Sequence, residues 1–199
     1  MKLISKVIIA CLIFTFACQS KAQIPSKEAQ IKGAVMSAPE NLREDATVLG
    51  FDKAGKVVIL RTGKNEMVCL ADDPTSQGFN SACYHKDLEL FMARGRELRG
   101  QGKTTKEIFD ARENEVQAGT LKMPEGPTTL HLYYGSDDIF NEETGEITGG
   151  NYRAVVYIPY ATAESTGLPL RPEVAGGPWL MDPGTHRAHI MITPPKKEE

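Results

Sequence analysis

Between residues 46 and 72 the sequence alternates short apolar runs, rich in β-branched residues, with turn-forming residues. The runs TVLGFD, KVVILR and MVCLAD are separated by Asp52-Lys53-Ala54-Gly55 and by Thr62-Gly63-Lys64-Asn65. Runs of this length, broken by glycine-containing turns, are typical of antiparallel strands joined by tight connections. The pattern predicts a three-strand antiparallel meander and so restricts the chain to folds built on such a sheet.

The apolar period lengthens after residue 84 and becomes that of a helix. In YHKDLELFMARGRELRG, Leu88, Phe91 and Gly95 fall at i, i+3 and i+7, which places them on one helical face. A second helix is predicted from Thr104, because Glu107 follows at the spacing of a capping box. We expect the two helices to form an αα-hairpin, with Gly95 allowing close packing against another element.

Strand patterns return after residue 127. TTLHLYY and YRAVVYIPY flank the acidic loop NEETGEITGGN, and HRAHIMIT is predicted to be the last strand. The order predicts an α+β fold, in which an antiparallel sheet, made of the N-terminal meander and the C-terminal strands, packs with the αα-hairpin. We expect one domain over residues 46–195, preceded by an extended tether over 23–45 that allows a short helix around residues 29–36, and followed by a charged tail over 196–199.

The N-terminus has the three-part layout of a secretory signal peptide. Lys2 and Lys6 precede an apolar run, and a region of small residues ends at Ala22. The apolar run is shorter than the roughly 20 residues that a helix needs to span a bilayer. We therefore predict a signal peptide over residues 1–22 and a periplasmic or secreted protein.

Acylation at Cys18 is the alternative fate of this segment. A lipoprotein junction usually carries an aliphatic residue three positions before the cysteine and a small residue two positions before it. Thr15 and Phe16 occupy those positions here. Soluble export is therefore favoured over lipid anchoring.

The charge balance argues against two classes of partner. The chain has 23 basic and 26 acidic residues, for a net charge of −3, and the predicted signal peptide would remove three of the lysines. Nucleic-acid binding requires lysine and arginine clustered on one face, and anionic membranes attract similar clusters. No such cluster is evident in the sequence, so we expect neither nucleic acid nor a membrane surface as partner.

Two cysteines remain beyond the predicted signal peptide, Cys69 and Cys83. Cysteines in an oxidising compartment usually pair, so a disulfide is predicted between them. It would close the polar, turn-rich segment LADDPTSQGFNSA. Two buried free thiols, or a thiolate metal site that includes His85, are the alternatives.

The C-terminal stretch PWLMDPGTHRAHIMITPP contains a candidate metal site. Carboxylate and imidazole are common zinc ligands, and Asp182, His186 and His189 lie close in sequence. Residues three apart on a strand point to opposite sides, so the two histidines converge only if the chain still bends between them. Asp182-Pro183-Gly184 is also explained as a simple turn. The zinc site is therefore retained only as an alternative.

A candidate ligand-binding face is predicted on the C-terminal strands. Side chains alternate along TTLHLYY, so His131 and Tyr133 share one face. If strands 128–134, 152–160 and 187–193 are neighbours, Tyr157 and His189 join that face and could bind a small ligand. The alternative is an ordinary sheet face whose polar tips are satisfied internally. With the single tryptophan added, the candidate set is His131, Tyr133, Tyr157, Trp179 and His189.

Familiar catalytic signatures are absent from the sequence: it has no nucleophile elbow, phosphate-binding loop, dinucleotide fingerprint, HExxH or C-x-x-C pair. This favours a small exported binding module, without a cofactor, over an enzyme. Its partner would be an unknown small molecule or an envelope or surface component. The alternative is a metal-dependent hydrolytic or redox enzyme that uses Asp182, His186 and His189.

Overall fold

Eight strands form one mixed sheet within residues 24–195, which are the residues that the computed structural model describes. The strands run in the order β2-β1-β3-β4-β5-β6-β8-β7, and every pair is antiparallel except β1 with β3. The predictions for the signal peptide, Cys18 and the charged tail lie outside the described residues. The strands are β1 (Thr47–Phe51), β2 (Val57–Arg61), β3 (Met67–Leu70), β4 (Phe79–His85), β5 (Thr128–Gly135), β6 (Asn151–Tyr157), β7 (Trp179–Met181) and β8 (His189–Ile192).

Four α-helices accompany the sheet in the described part of the chain. They are α1 (Lys27–Val35), α2 (Glu89–Gly100), α3 (Thr105–Gln117) and the single turn α4 (Ala163–Thr166). Helices α2 and α3 are the predicted αα-hairpin, and the predicted α+β fold class is confirmed. No helix among residues 24–195 has the length and apolar character needed to cross a membrane.

The helix pair begins and packs as its sequence predicts. The Thr104 hydroxyl accepts from Glu107 N at 3.3 Å and the Glu107 carboxylate accepts from Thr104 N at 2.8 Å, which confirms the capping box. Gly95 faces Arg112 of α3, and a Cβ at this position would lie 2.9 Å from Arg112 Nη1. Gly95 thus brings the two helices together, as predicted.

The two faces of the sheet carry separate cores. Helices α2 and α3 cover one face, which we call the hairpin face, and α1 covers part of the other, which we call the α1 face. Alternate residues of each strand point to alternate faces, so neighbours in sequence enter different cores. The hairpin face is packed with Tyr84, Leu88, Phe91, Leu130, Val155 and Met191. The α1 face buries Ala34, Val48, Met67, Cys69 and Cys83.

The segment predicted as an N-terminal tether is instead part of the domain. Helix α1 lies on the sheet with Ala34 fully buried. The Gln30 side chain accepts from Phe51 N at 2.7 Å and donates to Phe51 O at 3.0 Å, so it ties the helix to the end of β1. The packing of α1 on the sheet could not be predicted from the sequence. Small residues, alanine and glycine, make the contact with the sheet in place of the bulky apolar residues that mark a buried helix.

The predicted three-strand meander is wrong in its order. Strands β1 and β2 form the expected hairpin, but β3 pairs with β1 in parallel and lies on its other side. The chain therefore crosses the start of β1 at Gly63, where a Cβ would lie 2.3 Å from Asp45 O and Thr47 N. The segment predicted as a turn is instead a crossover connection between β2 and β3. It is fixed to the start of β1 by a hydrogen bond of 2.8 Å from Lys64 N to Asp45 O.

The predicted disulfide between Cys69 and Cys83 is present. The two residues lie directly opposite each other on β3 and β4 and are fully buried. The bond therefore joins two neighbouring strands under α1 and closes the hairpin between them, rather than pinning a free loop.

The C-terminal strands adopt the predicted neighbourhood. Strand β5 pairs with β6 and β6 pairs with β8, all antiparallel. The last strand is shorter than predicted, because residues 185–187 form a turn before β8 begins. Strand β7, which was not predicted, forms the sheet edge beside β8.

Candidate functional site

The predicted polar–aromatic face is not formed. His131 pairs with Ala154 across β5 and β6, whereas Tyr157 pairs with His189 across β6 and β8. Because Ala154 and Tyr157 are three residues apart on one strand, they point to opposite faces. His131 and Tyr133 therefore lie on the α1 face, and Tyr157 and His189 lie on the hairpin face. Trp179, opposite Met191, shares the hairpin face.

The two residues of the candidate set that lie on the α1 face have hydrogen-bond partners within the protein. His131 Nδ1 lies 2.6 Å from the Tyr152 hydroxyl, and the Tyr133 hydroxyl donates to Gly149 O. Burial lowers the pKa of His131 below its ordinary value, so the ring is neutral near pH 7. This matches the simpler interpretation, a sheet face with internal hydrogen bonds.

The structure does not bring Asp182, His186 and His189 together as a ligand set. Asp182 pairs with Arg187 Nε at 2.7 Å, and His189 Nδ1 lies 2.6 Å from Arg187 O. His186 Nδ1 lies 2.5 Å from Glu113 Oε2 on α3. Within residues 24–195 no group of three or more His, Cys, Asp or Glu side chains is arranged to hold a metal ion.

The chain does bend where the turn was predicted. Gly184 has a φ of 72°, as glycine readily allows, and Asp182 itself has a φ of 52°. Non-glycine residues rarely adopt a positive φ, so this stretch is held by its surroundings. The Asp182 carboxylate bonds Arg187 rather than the backbone, and so the turn also positions an arginine.

His186 is fully buried between the helix pair and the sheet. Its ring lies against Phe91 and Phe109, with centroid distances of 5.6 and 5.0 Å. Burial lowers its pKa, although the Glu113 carboxylate acts in the opposite direction. A neutral ring therefore donates from Nδ1 to Glu113, and its buried Nε2 has no protein partner among the described residues.

Glu113 gathers hydrogen bonds from several parts of the chain. Its carboxylate accepts from His186 N at 2.9 Å, Gln117 Nε2 at 2.7 Å and the Tyr160 hydroxyl at 3.2 Å, besides the His186 ring. Partial burial acts to raise the pKa of Glu113, but the bonds from His186 and Gln117 outweigh it and lower the pKa. The carboxylate therefore fixes α3 to the segment that leads into β8. We call Glu113 and the residues that bond to it the Glu113 clamp.

A cavity of about 230 Å³ lies between the helix pair and the hairpin face of the sheet. Its apolar lining comes from both layers, and a lining of this kind is usual for small-molecule sites. The sheet contributes Leu70, Ala82, Leu130 and Leu132, and the helices contribute Phe91, Met92 and Ile108. Tyr157, from the predicted candidate set, also lines this cavity.

The charged lining of the cavity is entirely basic. Arg96, Arg99, Arg112 and Arg187 line it, and no aspartate or glutamate does among the described residues. Arg96 Nη2 bonds Glu89 at 2.6 Å, and Arg187 bonds Asp182 as described above. Arg99 is exposed, and within the described structure neither it nor Arg112 has a carboxylate within salt-bridge distance.

Arg112 is the unusual member of this group. Its side chain is 8% exposed, and its guanidinium lies 3.8 Å above the centre of the Phe91 ring. Nη1 donates to Phe91 O at 3.2 Å, whereas the buried Nε has no protein partner among the described residues. Burial, the nearby Arg187 and Arg99 lower the pKa of Arg112 to about 10, so the group remains charged at neutral pH.

A larger groove lies open on the surface beside the start of α2. It has a volume of about 720 Å³ and is lined by Lys86, Asp87 and Glu125 together with a proline-rich segment. Its charges are of both signs and are exposed to solvent. Thr128 is the buried polar residue among those that line the groove, and its hydroxyl donates to Gly126 O at 3.0 Å, so it is not left free to select a ligand.

Sequence reasoning missed the cavity and its arginines. The available signal was the run MARGRELRG, in which three arginines share a helix with Gly95. Arg112 carried no signal, because only the packing of α3 on α2 buries it. Comparisons of the chain with protein-family models, curated proteins and solved structures found no match.

Proposed function

We propose that the chain is an exported binding module whose ligand occupies the cavity between the helix pair and the sheet. The observation that carries the proposal is Arg112, a buried cation that lines a largely apolar cavity and whose Nε has no protein partner among the described residues. Small-molecule sites combine an apolar lining with a few placed polar groups, as this cavity does.

Binding is favoured over catalysis by the chemistry of the lining. The described lining has no histidine, cysteine, serine, aspartate or glutamate, the usual nucleophiles and proton-transfer groups. Its hydroxyls belong to Tyr84 and Tyr157, and burial raises the pKa of both. Both phenols are therefore protonated near neutral pH and can orient a ligand but cannot act as a base.

The proposal of export rests on the N-terminal sequence, and the disulfide between Cys69 and Cys83 is compatible with it. N-terminal sequencing of the protein secreted or released from the periplasm tests it. A chain that starts at Gln23 supports cleavage after Ala22. A lipid-blocked Cys18 would replace soluble export by anchoring, and a cytoplasmic chain that keeps Met1 would contradict export altogether.

Filling the cavity tests the location of the site. Ala82 lies on the hairpin face and lines the cavity, so Ala82→Leu should fill it without adding a polar group. Titration with 1-octanol and with octanoate should shift the NMR resonances of the Leu130 and Leu132 methyl groups in the wild type and leave those of the Ala82→Leu variant unchanged.

Ala154→Leu provides the matched control. Ala154 lies on the α1 face of the same sheet, opposite His131, so the same substitution leaves the cavity intact. This variant should bind the probes as the wild type does. If neither probe shifts the cavity resonances in the wild type, or if Ala82→Leu binds both unchanged, the proposed site is wrong.

A further inference from the structure

We infer that the cavity selects a small amphipathic anion, with a carboxylate-like head at Arg112 and a short apolar body against the sheet. The inference rests on the proposed function and adds the chemical class of the ligand. It depends on three observations: the sign of the charge in the cavity, the unmet hydrogen-bonding capacity of Arg112, and the apolar character and size of the remaining space.

The charge in the cavity is opposite in sign to that of the chain. The chain as a whole carries a net charge of −3, yet the charged side chains that line the cavity are all arginines. Glu89 and Asp182 neutralise Arg96 and Arg187. Arg99 at the surface and Arg112 inside are left without a carboxylate in the described structure. The cavity therefore favours an anion and repels a cation.

The hydrogen-bonding capacity of Arg112 points to the position of the head group. A buried donor without a partner destabilises a protein, and more so when the group is charged. Among the described residues, Arg112 Nε is such a donor, and the hydrogen bond that the guanidinium makes there is from Nη1 to Phe91 O. A carboxylate matches the fork of a guanidinium. Bound at the edge of Arg112 that lines the cavity, it would supply the missing charge and accept from guanidinium N–H groups that have no acceptor among the described residues.

The rest of the cavity defines the body of the ligand. Leu70, Leu130 and Leu132 face it from the sheet, and Met92 and Ile108 face it from the helices. These side chains offer dispersion contacts but no hydrogen bond, and the Tyr84 hydroxyl is already bonded to Glu89 and Arg96, so the body is largely apolar. The volume of about 230 Å³ is below the range typical of drug-sized ligands, so the body is short.

Three probes that share one alkyl chain but differ in the charge of the head group test this class of ligand. Octanoate, 1-octanol and octylammonium share an eight-carbon chain and carry a negative, a neutral and a positive head. In calorimetric titration of the full mature chain, octanoate should bind more tightly than octanol by about tenfold or more, as expected for hydrogen bonds to a charged group. Octylammonium should bind more weakly than octanol.

Arg112→Met separates the head contact from the cavity itself. Methionine keeps an unbranched side chain over Phe91 and removes the buried charge, a replacement that proteins often tolerate well. Octanoate should lose its advantage in this variant while octanol binding is retained. Arg112→Lys keeps a charge without the planar fork and should retain part of the preference, which guards against a variant that fails for packing reasons alone.

Arg94→Met is the matched control, because Arg94 lies on the same helix pair and bonds Glu115 outside the cavity. It should keep the full preference for octanoate. Equal binding of the three probes, or an octanoate preference that survives in Arg112→Met, would overturn the inference and leave the cavity as a binding site. Absence of binding by all three probes would overturn the inference together with the proposed function.

Discussion

Glu113 of α3 and His186 of the segment before β8 are joined by a contact of 2.5 Å between Oε2 and Nδ1. The same carboxylate accepts from the Tyr160 hydroxyl, and Tyr160 has a φ of 61°, a strained conformation for a non-glycine residue. Glu113 thus fastens two C-terminal loops to the helix pair. Since Arg187 follows His186 and lines the cavity, this clamp also holds one wall of the proposed site.

Removal of the Glu113 charge should destabilise the protein. Glu113→Gln keeps the size of the side chain but replaces an ionised acceptor of several hydrogen bonds with a neutral amide. A hydrogen bond to a charged group contributes about 1.5–3 kcal/mol, so we expect the free energy of unfolding to fall by about 2 kcal/mol. Urea denaturation at neutral pH measures this change.

The control for this prediction lies on the same helix. Asp110 pairs with Lys106 at 2.6 Å, and both side chains are largely exposed. Exposed pairs of this spacing contribute about 0.3–0.5 kcal/mol, so Asp110→Asn should alter stability by no more than that. A Glu113→Gln variant as stable as Asp110→Asn would show that the clamp contributes nothing.

Mild acid should lower the stability of the wild-type protein. Burial lowers the folded-state pKa of His131, His186 and His189 below the ordinary value of 6.5. The unfolded chain therefore binds protons on these rings at a higher pH than the folded protein does. The free energy of unfolding should fall by about 1 kcal/mol as the pH drops from about 7.5 to about 6.

Two measurements check this pH dependence. Urea denaturation gives the change in stability, and NMR titration of the folded protein gives the three histidine pKa values directly. The window ends near pH 6 because burial raises the pKa of Asp72 to about 6, and its protonation in the folded state acts in the opposite direction. Stability that rises on acidification within the window, or rings that titrate above pH 6.5, would contradict the prediction.

Removal of the disulfide should lower the free energy of unfolding, because the unfolded chain gains conformational entropy when the cross-link is absent. The bond joins residues 14 apart in sequence, and closing a loop of about 15 residues contributes about 3 kcal/mol in the chain-entropy model. The Cys69→Ala/Cys83→Ala double variant should lose about that much stability in urea denaturation.

A reductant provides the control for this prediction. It should lower the stability of the wild type and leave that of the double variant unchanged. Two freely labelled thiols in the folded exported protein would contradict the presence of the bond.

The sequence predicted local structure more reliably than it predicted strand register and the packing of helices against one another. The alternation along TTLHLYY correctly placed His131 and Tyr133 on one strand face, and the spacing of Thr104 and Glu107 correctly marked the start of α3. It could not predict that His189 would lie on the other face from His131, because a shift of one residue in strand register reverses every side chain. The same limit hid Arg112, whose burial depends on how two helices pack.

The order of β1, β2 and β3 in the sheet could not be predicted for a related reason. Glycine-containing segments serve both as hairpin turns and as places where two stretches of backbone approach closely, and the sequence does not distinguish the two. Thr62-Gly63-Lys64-Asn65 has the composition of a turn, yet it crosses the start of β1 and delivers β3 to the far side. The position that allows this crossing is Gly63.

Gly63→Ala should therefore destabilise the protein far more than an ordinary glycine substitution. An added Cβ would lie 2.3 Å from Asp45 O and Thr47 N, which are backbone atoms and cannot move without displacing β1. Gly126→Ala is the matched control, because a Cβ there meets no atom of the described residues within 4 Å. We expect a loss of about 2–3 kcal/mol for Gly63→Ala and a change within about 0.5 kcal/mol for Gly126→Ala in urea denaturation. Equal stability of the two variants would contradict the close approach of Gly63 to the start of β1.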